Sequence, residues 1–258
     1  MKIIIFIPIV ILFQCCMAQE YETVTYVNKK GEEVKEKKAF FLIQKKKLNN
    51  KLWEINTYEI FGPMLTSTQS KDENGSIRNG IYISYASGFT DSIGYFKNNQ
   101  KDSIWRIFTH SINNALVKEL EYKNGKLISE KDSTAINKQI DHFLDSVKSH
   151  QMPPKVEIES SYTGGDSAWR QYLFKNFHYP ERAINNEIQG RVIVEFIVSN
   201  DGKVDNTLIV KSVEYSLDKE ALRIIRLSSN NWIPAFQNGR KVKSYKKQPI
   251  DYKLQIQK

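Results

Sequence analysis

Four histidines, His110, His142, His150 and His178, are the side chains here best suited to metal binding or to proton transfer near neutral pH. Their spacing supports neither. None forms an HxH or HxxxH pair and no carboxylate cluster lies beside them, whereas a zinc or iron site needs three or four converging ligands. Gly164-Gly165 before Asp166 could turn backbone N–H groups toward an anion at a helix start. The Lys-Ser/Thr that would complete a phosphate loop is missing, and the pair reads more simply as a tight entry into a helix with Asp166 favourable to its dipole. No Gly-x-Ser-x-Gly elbow is present. The expectation is a protein that is not an enzyme, without cofactor or metal.

The two cysteines, Cys15 and Cys16, fall inside an N-terminal segment that reads as an export signal. Lys2 is a minimal positive region, Ile3 to Phe13 an apolar core, and Cys16-Met17-Ala18 a small-residue cleavage site before Gln19. Residues 1–18 are therefore expected to be a signal peptide or short anchor, and periplasmic export, with inner-membrane anchoring as the variant, follows. A mature chain without cysteine uses no disulfide or thiol chemistry. The formal charge is +9 over 258 residues, with 17 basic and 12 acidic side chains in 155–258. So diffuse a charge fits solubility, and without a zinc-finger spacing or a basic helix no nucleic-acid partner is expected.

These residues sit on elements whose periods are legible. From Tyr21 to about Glu130, short strands are broken by Asn, Gly, Lys and Asp. Tyr82 and Tyr85 recur as Trp105 and Phe108, and Tyr95-Phe96-Lys97-Asn98 recurs loosely as Glu121-Tyr122-Lys123-Asn124. A repeat unit cannot bury its own face, so these aromatics are expected to pack one unit on the next. Residues 26–39 are expected to form a hairpin or irregular lead-in. Ile136, Ile140, Phe143, Leu144 and Val147 then lie on one helical stripe, with Asp132 or Ser133 as N-cap and Pro153-Pro154 as the stop.

The last hundred residues read as α-β-β-α-β. Asp166 and Ser167 are expected to cap a helix with Trp169, Tyr172, Leu173 and Phe177 on one face. Val192, Val194, Phe196 and Val198 alternate into a strand, Asn200-Asp201-Gly202 turns, and Val204, Leu208 and Val210 continue the inward face. Ser216 is expected to open a helix with Leu217, Ala221, Ile224 and Ile225 in the core. Ile250, Tyr252, Leu254 and Ile256 alternate in a final strand. The fold class is α+β: a small antiparallel sheet with helices on one face, preceded by a β-hairpin repeat region. The divisions are 1–18 signal, 19–130 β-repeats, 131–154 helical connector and 155–258 C-terminal domain.

Two resemblances attach to these residues. The turn-punctuated aromatic units resemble MORN repeats. Tyr162-Thr163-Gly164-Gly165, Tyr179-Pro180, Gly190, Asp201-Gly202, Ser212, Leu217-Asp218, Trp232, Pro234-Ala235, Asn238-Gly239 and Pro249 together resemble the TonB C-terminal domain family. That resemblance implies a periplasmic energy-transducing or coupling protein. Its partner is a TonB-dependent outer-membrane receptor, whose TonB-box segment adds as a strand to the domain's sheet. The implied acceptor is the last strand, 244–254, with Ser244, Tyr245, Lys246, Lys247, Pro249, Asp251 and Lys253 as binding residues. Tyr179, Pro180 and Arg182 match the family's receptor-contacting segment, with Arg182 facing acidic groups. Inner-membrane proton-motive motor proteins are further implied partners, and a homodimer stays open. Family members also carry a histidine-bearing anchor and a long Pro-rich spacer; the first 18 residues hold no histidine, and Pro153-Pro154 is all that matches the spacer. The alternative is an envelope scaffold or adaptor that binds partners through its β-repeats without energising transport.

Overall fold

In the computed structural model of the protein, residues 21–110, 115–138 and 158–254 are described. The expected signal segment, most of the connector stripe (Ile140 to Val147, with His142, His150 and Pro153-Pro154) and Ile256 lie outside them.

Nine strands follow one another as an antiparallel meander: β1 (Glu22–Val27), β2 (Phe41–Asn49), β3 (Leu52–Glu59), β4 (Met64–Ser70), β5 (Arg78–Ala86), β6 (Phe89–Lys97), β7 (Gln100–Phe108), β8 (Leu116–Lys123) and β9 (Lys126–Asp132). Strand β1 begins before the expected lead-in and pairs with β2 along Glu22–Val27; within the lead-in Val27 bridges Glu33, and a 3-10 turn follows at Glu36–Lys38. Three of the hairpins close through two-residue turns, Ser87-Gly88, Asn98-Asn99 and Asn124-Gly125, with positive φ at both positions. That turn matches the right-handed twist of the strands it joins, and Asn and Gly occupy it at least steric cost.

The recurring aromatics meet on one face of β5–β8. Trp105 is 3% exposed, its ring 5.1 Å from Phe96, 5.6 Å from Tyr82 and 6.2 Å from Tyr122. Gly94 leaves the space that Trp105 fills, since a Cβ there would overlap the indole. Lys101 lies 4.2 Å from the centre of the Trp105 ring, a cation over its negative face. Tyr82, Phe96, Trp105 and Tyr122 pack unit on unit as expected, whereas Tyr85 turns to the core shared with the C-terminal region.

At the connector, Asp132 caps helix α1, which runs from residue 133 and is described to 138, by accepting the Ala135 N–H at 2.8 Å. Beyond it come β10 (Ser161–Tyr162), α2 (Gly165–Asn176), α3 (Glu181–Asn185), β11 (Gly190–Val198), β12 (Val204–Lys211), α4 (Tyr215–Leu227), β13 (Trp232–Ile233), β14 (Ala235–Gln237), β15 (Arg240–Val242) and β16 (Ser244–Tyr252). Strands β12, β11 and β16 form an antiparallel sheet with α2 and α4 over one face, where Val192, Val194, Phe196 and Val198 are fully buried. Two short ribbons, β10–β13 and β14–β15, are added to the expected order.

Several local expectations are corrected. Helix α2 is entered through Gly164 at φ 84° with no side-chain cap, so Asp166 sits in its first turn, and Phe177 lies one residue past its end. Helix α4 begins at Tyr215, capped by Glu214, whose carboxylate accepts the Ser216 N–H at 2.7 Å. Register shifts between β11 and β12 put Ile209 opposite Val194 and Leu208 opposite Glu195, because two irregularities break the alternation that the sequence pattern assumes. Strand β16 stops at Tyr252, leaving Lys253 and Leu254 beyond it.

The two regions share one core. Leu42, Tyr58, Met64, Ile83 and Tyr85 of the meander join the cluster built by Val192, Phe196, Ile209, Leu217 and Ile224. Strand β12 also meets β6 at Lys211–Phe89, so the C-terminal sheet and the meander form a single twelve-stranded sheet.

Candidate functional site

The edges of the three-stranded C-terminal sheet decide what a partner strand can reach. On the β12 side, the meander covers the C-terminal end of the edge, from Ile209 to Ser212. The Ser212 N–H donates to the Gly88 carbonyl at 2.8 Å, the Tyr85 hydroxyl to the Ile209 carbonyl at 3.0 Å and Thr90 Oγ1 to the Val210 carbonyl at 3.2 Å. Gly88 permits the approach, because a Cβ there would stand 2.6 Å from the Ser212 carbonyl oxygen. On the other side, β16 pairs with β11 over nine successive residues, Gly190–Tyr252 to Val198–Ser244, and has no second neighbour among the described residues.

The expected strand residues therefore fall along one open edge. Tyr245, Lys247, Pro249 and Asp251 are exposed, while Ser244, Lys246 and Gln248 are half-buried. Lys247 approaches Glu195 at 3.6 Å, and Asp251 takes a two-pronged contact from Arg191 at 2.6 and 2.9 Å. That hydrogen bond from Arg191 holds the Asp251 carboxyl below its ordinary range. Ser244 Oγ donates to Ser160 Oγ at 2.7 Å, and the Lys246 ammonium lies 6.0 Å from the centre of the Trp232 ring. Lys253 follows the end of the strand.

The tyrosine-proline segment is placed differently: Tyr179 and Pro180 pack within the C-terminal domain, and Arg182 reaches into the junction between the two regions. Tyr179 donates to the Ile188 carbonyl at 2.7 Å and packs edge-on against Tyr252. Pro180 precedes α3, and its carbonyl accepts the Ala183 and Ile184 N–H groups at 3.0 Å. Arg182 has its side chain 16% exposed. Its Nε donates to Glu214 at 2.6 Å, and the rest of the guanidinium meets Glu36 and the Ile60 carbonyl, with the Phe61 ring 5.0 Å away. The segment thus touches β16 only at its buried end, through Tyr179 and Tyr252, and Arg182 is occupied within the chain.

Sequence reasoning missed the partners that make this junction. Glu214, with no exposed surface, receives Arg182 on one oxygen and Ser216 on the other. Asp218, equally buried, accepts from Ser212 Oγ at 2.5 Å and from the Val213 N–H at 3.1 Å, while the Met64 N–H of β4 donates to Ser212 Oγ at 2.7 Å. Burial pushes the Asp218 carboxyl up to about 8, opposed by these hydrogen bonds and reinforced by the Glu214 charge. At the opposite end Glu22 accepts from Tyr215 at 2.9 Å and Lys219 at 2.5 Å. An acid placed where only a solvated helix start was expected was the available signal for Glu214. Nothing local in the sequence marks Glu22 or Glu36.

Among the described residues no group of three or more His, Cys, Asp or Glu side chains could hold a metal, and no helix is long and apolar enough to cross a membrane. A comparison with curated proteins finds no match. Among solved structures, the solution structure of the Helicobacter pylori TonB C-terminal domain is similar at 27% identity over 34% of this chain and 78% of that chain, with a TM-score of 0.29. Residues 175–254, from the end of α2 to just beyond β16, match the family model for the Gram-negative bacterial TonB protein C-terminal, and this part of the chain is a TonB C-terminal domain.

Proposed function

We propose that this is a TonB-like coupling protein of the cell envelope, whose C-terminal domain takes an extended segment of an outer-membrane receptor as an added strand on β16. The carrying observation is the difference between the two sheet edges: β12 is met by the meander from Ile209 to Ser212, and β16 has no second strand beside it among the described residues. An open edge offers main-chain donors and acceptors to any extended peptide, so affinity need not depend on the peptide's side chains. Lys246, Lys247 and Pro249 would limit indiscriminate pairing there. Pro249 also suggests which groups face outward. A strand paired on one side best tolerates proline where the missing N–H points away from its neighbour. By the two-residue alternation, the backbone groups of Tyr245, Lys247 and Asp251 then share the outward side with Pro249.

In this reading Tyr179 and Pro180 fix the turn into α3, Arg182 holds the domain on the meander, and β16 carries the contact with the receptor. Periplasmic placement accords with the family and with an N-terminal segment of export type. A motor-driven role would require a further contact with inner-membrane proteins.

The test is titration of the full chain with a synthetic TonB-box peptide, using Lys247→Ala and Lys247→Pro. Alanine should change affinity by no more than the ~1 kcal/mol of an exposed charge. Proline, which removes an outward donor and leaves the β11 pairing in place, should weaken binding tenfold or more, about 1.4 kcal/mol. Equal losses from both variants, or no binding by the unaltered protein, would refute strand addition.

A further inference from the structure

Resting on that reading, we infer that the nine-stranded meander is the second wall of the receptor site, and that it selects apolar side chains on one face of the added strand. A groove of about 450 Å³ runs between the meander and the C-terminal sheet. Ile81, Ile83 and Ile93 line it from the meander, and Ile197, Leu208 and Tyr245 from the C-terminal sheet. Ile81 and Tyr245 are 49% and 74% exposed, so both walls present apolar surface that neither region buries.

The groove is continuous with the open edge through Tyr245, which belongs to β16 and pairs with Ile197 on β11. An added strand puts every second side chain on Tyr245's face of the sheet and the others on the helix-covered face. The first set reaches the groove mouth. The lining also carries polar side chains, most of them engaged within the chain: Glu195 lies 3.6 Å from Lys247, Asn56 donates to Gln44 at 2.9 Å and to Glu54 at 3.3 Å, Gln69 accepts the Ile81 N–H at 3.0 Å and Arg226 donates to Thr207 at 3.1 Å. A groove whose polar side chains are mostly engaged, and whose isoleucines and Tyr245 stand at its mouth, favours an apolar occupant there and penalises a carboxylate or amide left without a partner. The volume is of the size that two or three branched or aromatic side chains fill, as in ordinary ligand pockets of about 300 Å³ and above. The fitting partner is an extended receptor segment carrying apolar residues at alternate positions. Backbone pairing on β16 supplies its affinity, and the meander supplies its selectivity.

The test is a coupling cycle on the full chain. One synthetic TonB-box peptide is titrated beside two variants in which the side chains of one alternate set, then of the other, are replaced by Asn. On the protein side Ile81→Asn alters one wall and Tyr245→Asn the other, with folding checked by thermal melting. Replacing the groove-facing set should weaken binding to the unaltered protein by about tenfold, and that penalty should shrink to within about twofold in Ile81→Asn. The second set should show no such coupling. If the parent peptide binds and Lys247→Pro abolishes binding, yet Ile81→Asn leaves all three affinities unchanged, strand addition stands and the meander's role is overturned. If the parent peptide does not bind the unaltered protein, both fall. Should Ile81→Asn fail to fold, the same cycle with Tyr245→Asn decides, and absence of coupling there overturns the inference.

Discussion

Replacing Asp218 by Asn isolates the electrostatics of the junction between the two regions. The carboxyl is fully buried, its hydrogen-bond partners are neutral donors, and the nearby Arg182 is bonded to Glu214. With a carboxyl raised from 3.8 to about 8, the folded chain holds a proton that the unfolded chain has lost. Its stabilising contribution is complete below the unfolded value and disappears as pH rises through the folded one. At about 1.4 kcal/mol per unit, the loss between pH 5 and pH 8 amounts to roughly 4 kcal/mol. Asn keeps the shape, can accept the Val213 N–H and can donate to Ser212 Oγ, and it does not titrate. Urea titrations of both proteins at pH 5, 6, 7, 8 and 9 give the comparison, with other titrating groups common to both. The variant should lie near the natural protein at pH 5 and exceed it by several kcal/mol at pH 9. Parallel curves across this range would refute the argument, because they would mean that Asp218 is ionised in the folded protein at little cost.

Three further outcomes follow from packing. Trp105→Ala should destabilise the chain by about 3 to 5 kcal/mol in a denaturant titration, as large-to-small changes at buried aromatics do. Gly94→Ala should cost about 1 to 3 kcal/mol by forcing a methyl group against the same indole, and combining it with a smaller residue at 105 should recover part of that cost. Arg182→Ala should destabilise by about 3 to 5 kcal/mol, since it leaves the fully buried Glu214 carboxylate without its cation. Amide exchange should then rise first in the segments around Glu36 and Ile60.

The C-terminal elements were legible because their cores are local and periodic. Leu217, Ala221, Ile224 and Ile225 are all fully buried, and Val192 to Val198 alternate into the helix-covered face. Leu208 was misplaced because a bulge leaves no mark in an alternating pattern. The turns of the meander were visible in Asn and Gly, and its aromatics in their recurrence. The covering of β12 was not legible, because it depends on contacts such as Met64 to Ser212 and Tyr85 to Ile209, between residues more than a hundred positions apart. Arg182 shows the same limit: the sequence supplied a cation, and only the fold supplied Glu36 and Glu214 to meet it.

The shared core also sets an order of events during synthesis. The meander's own pairings join neighbouring strands, so it is able to close soon after its residues emerge, as folds rich in local contacts do. Leu42, Tyr58, Met64, Ile83 and Tyr85 would then wait with an apolar face uncovered, because their partners from Val192 to Ile250 are made last. Contacts such as Glu22 with Lys219 span nearly the whole described chain and form only at the end. The newborn protein therefore passes through a stage in which a finished sheet displays a sticky surface, the species most exposed to aggregation.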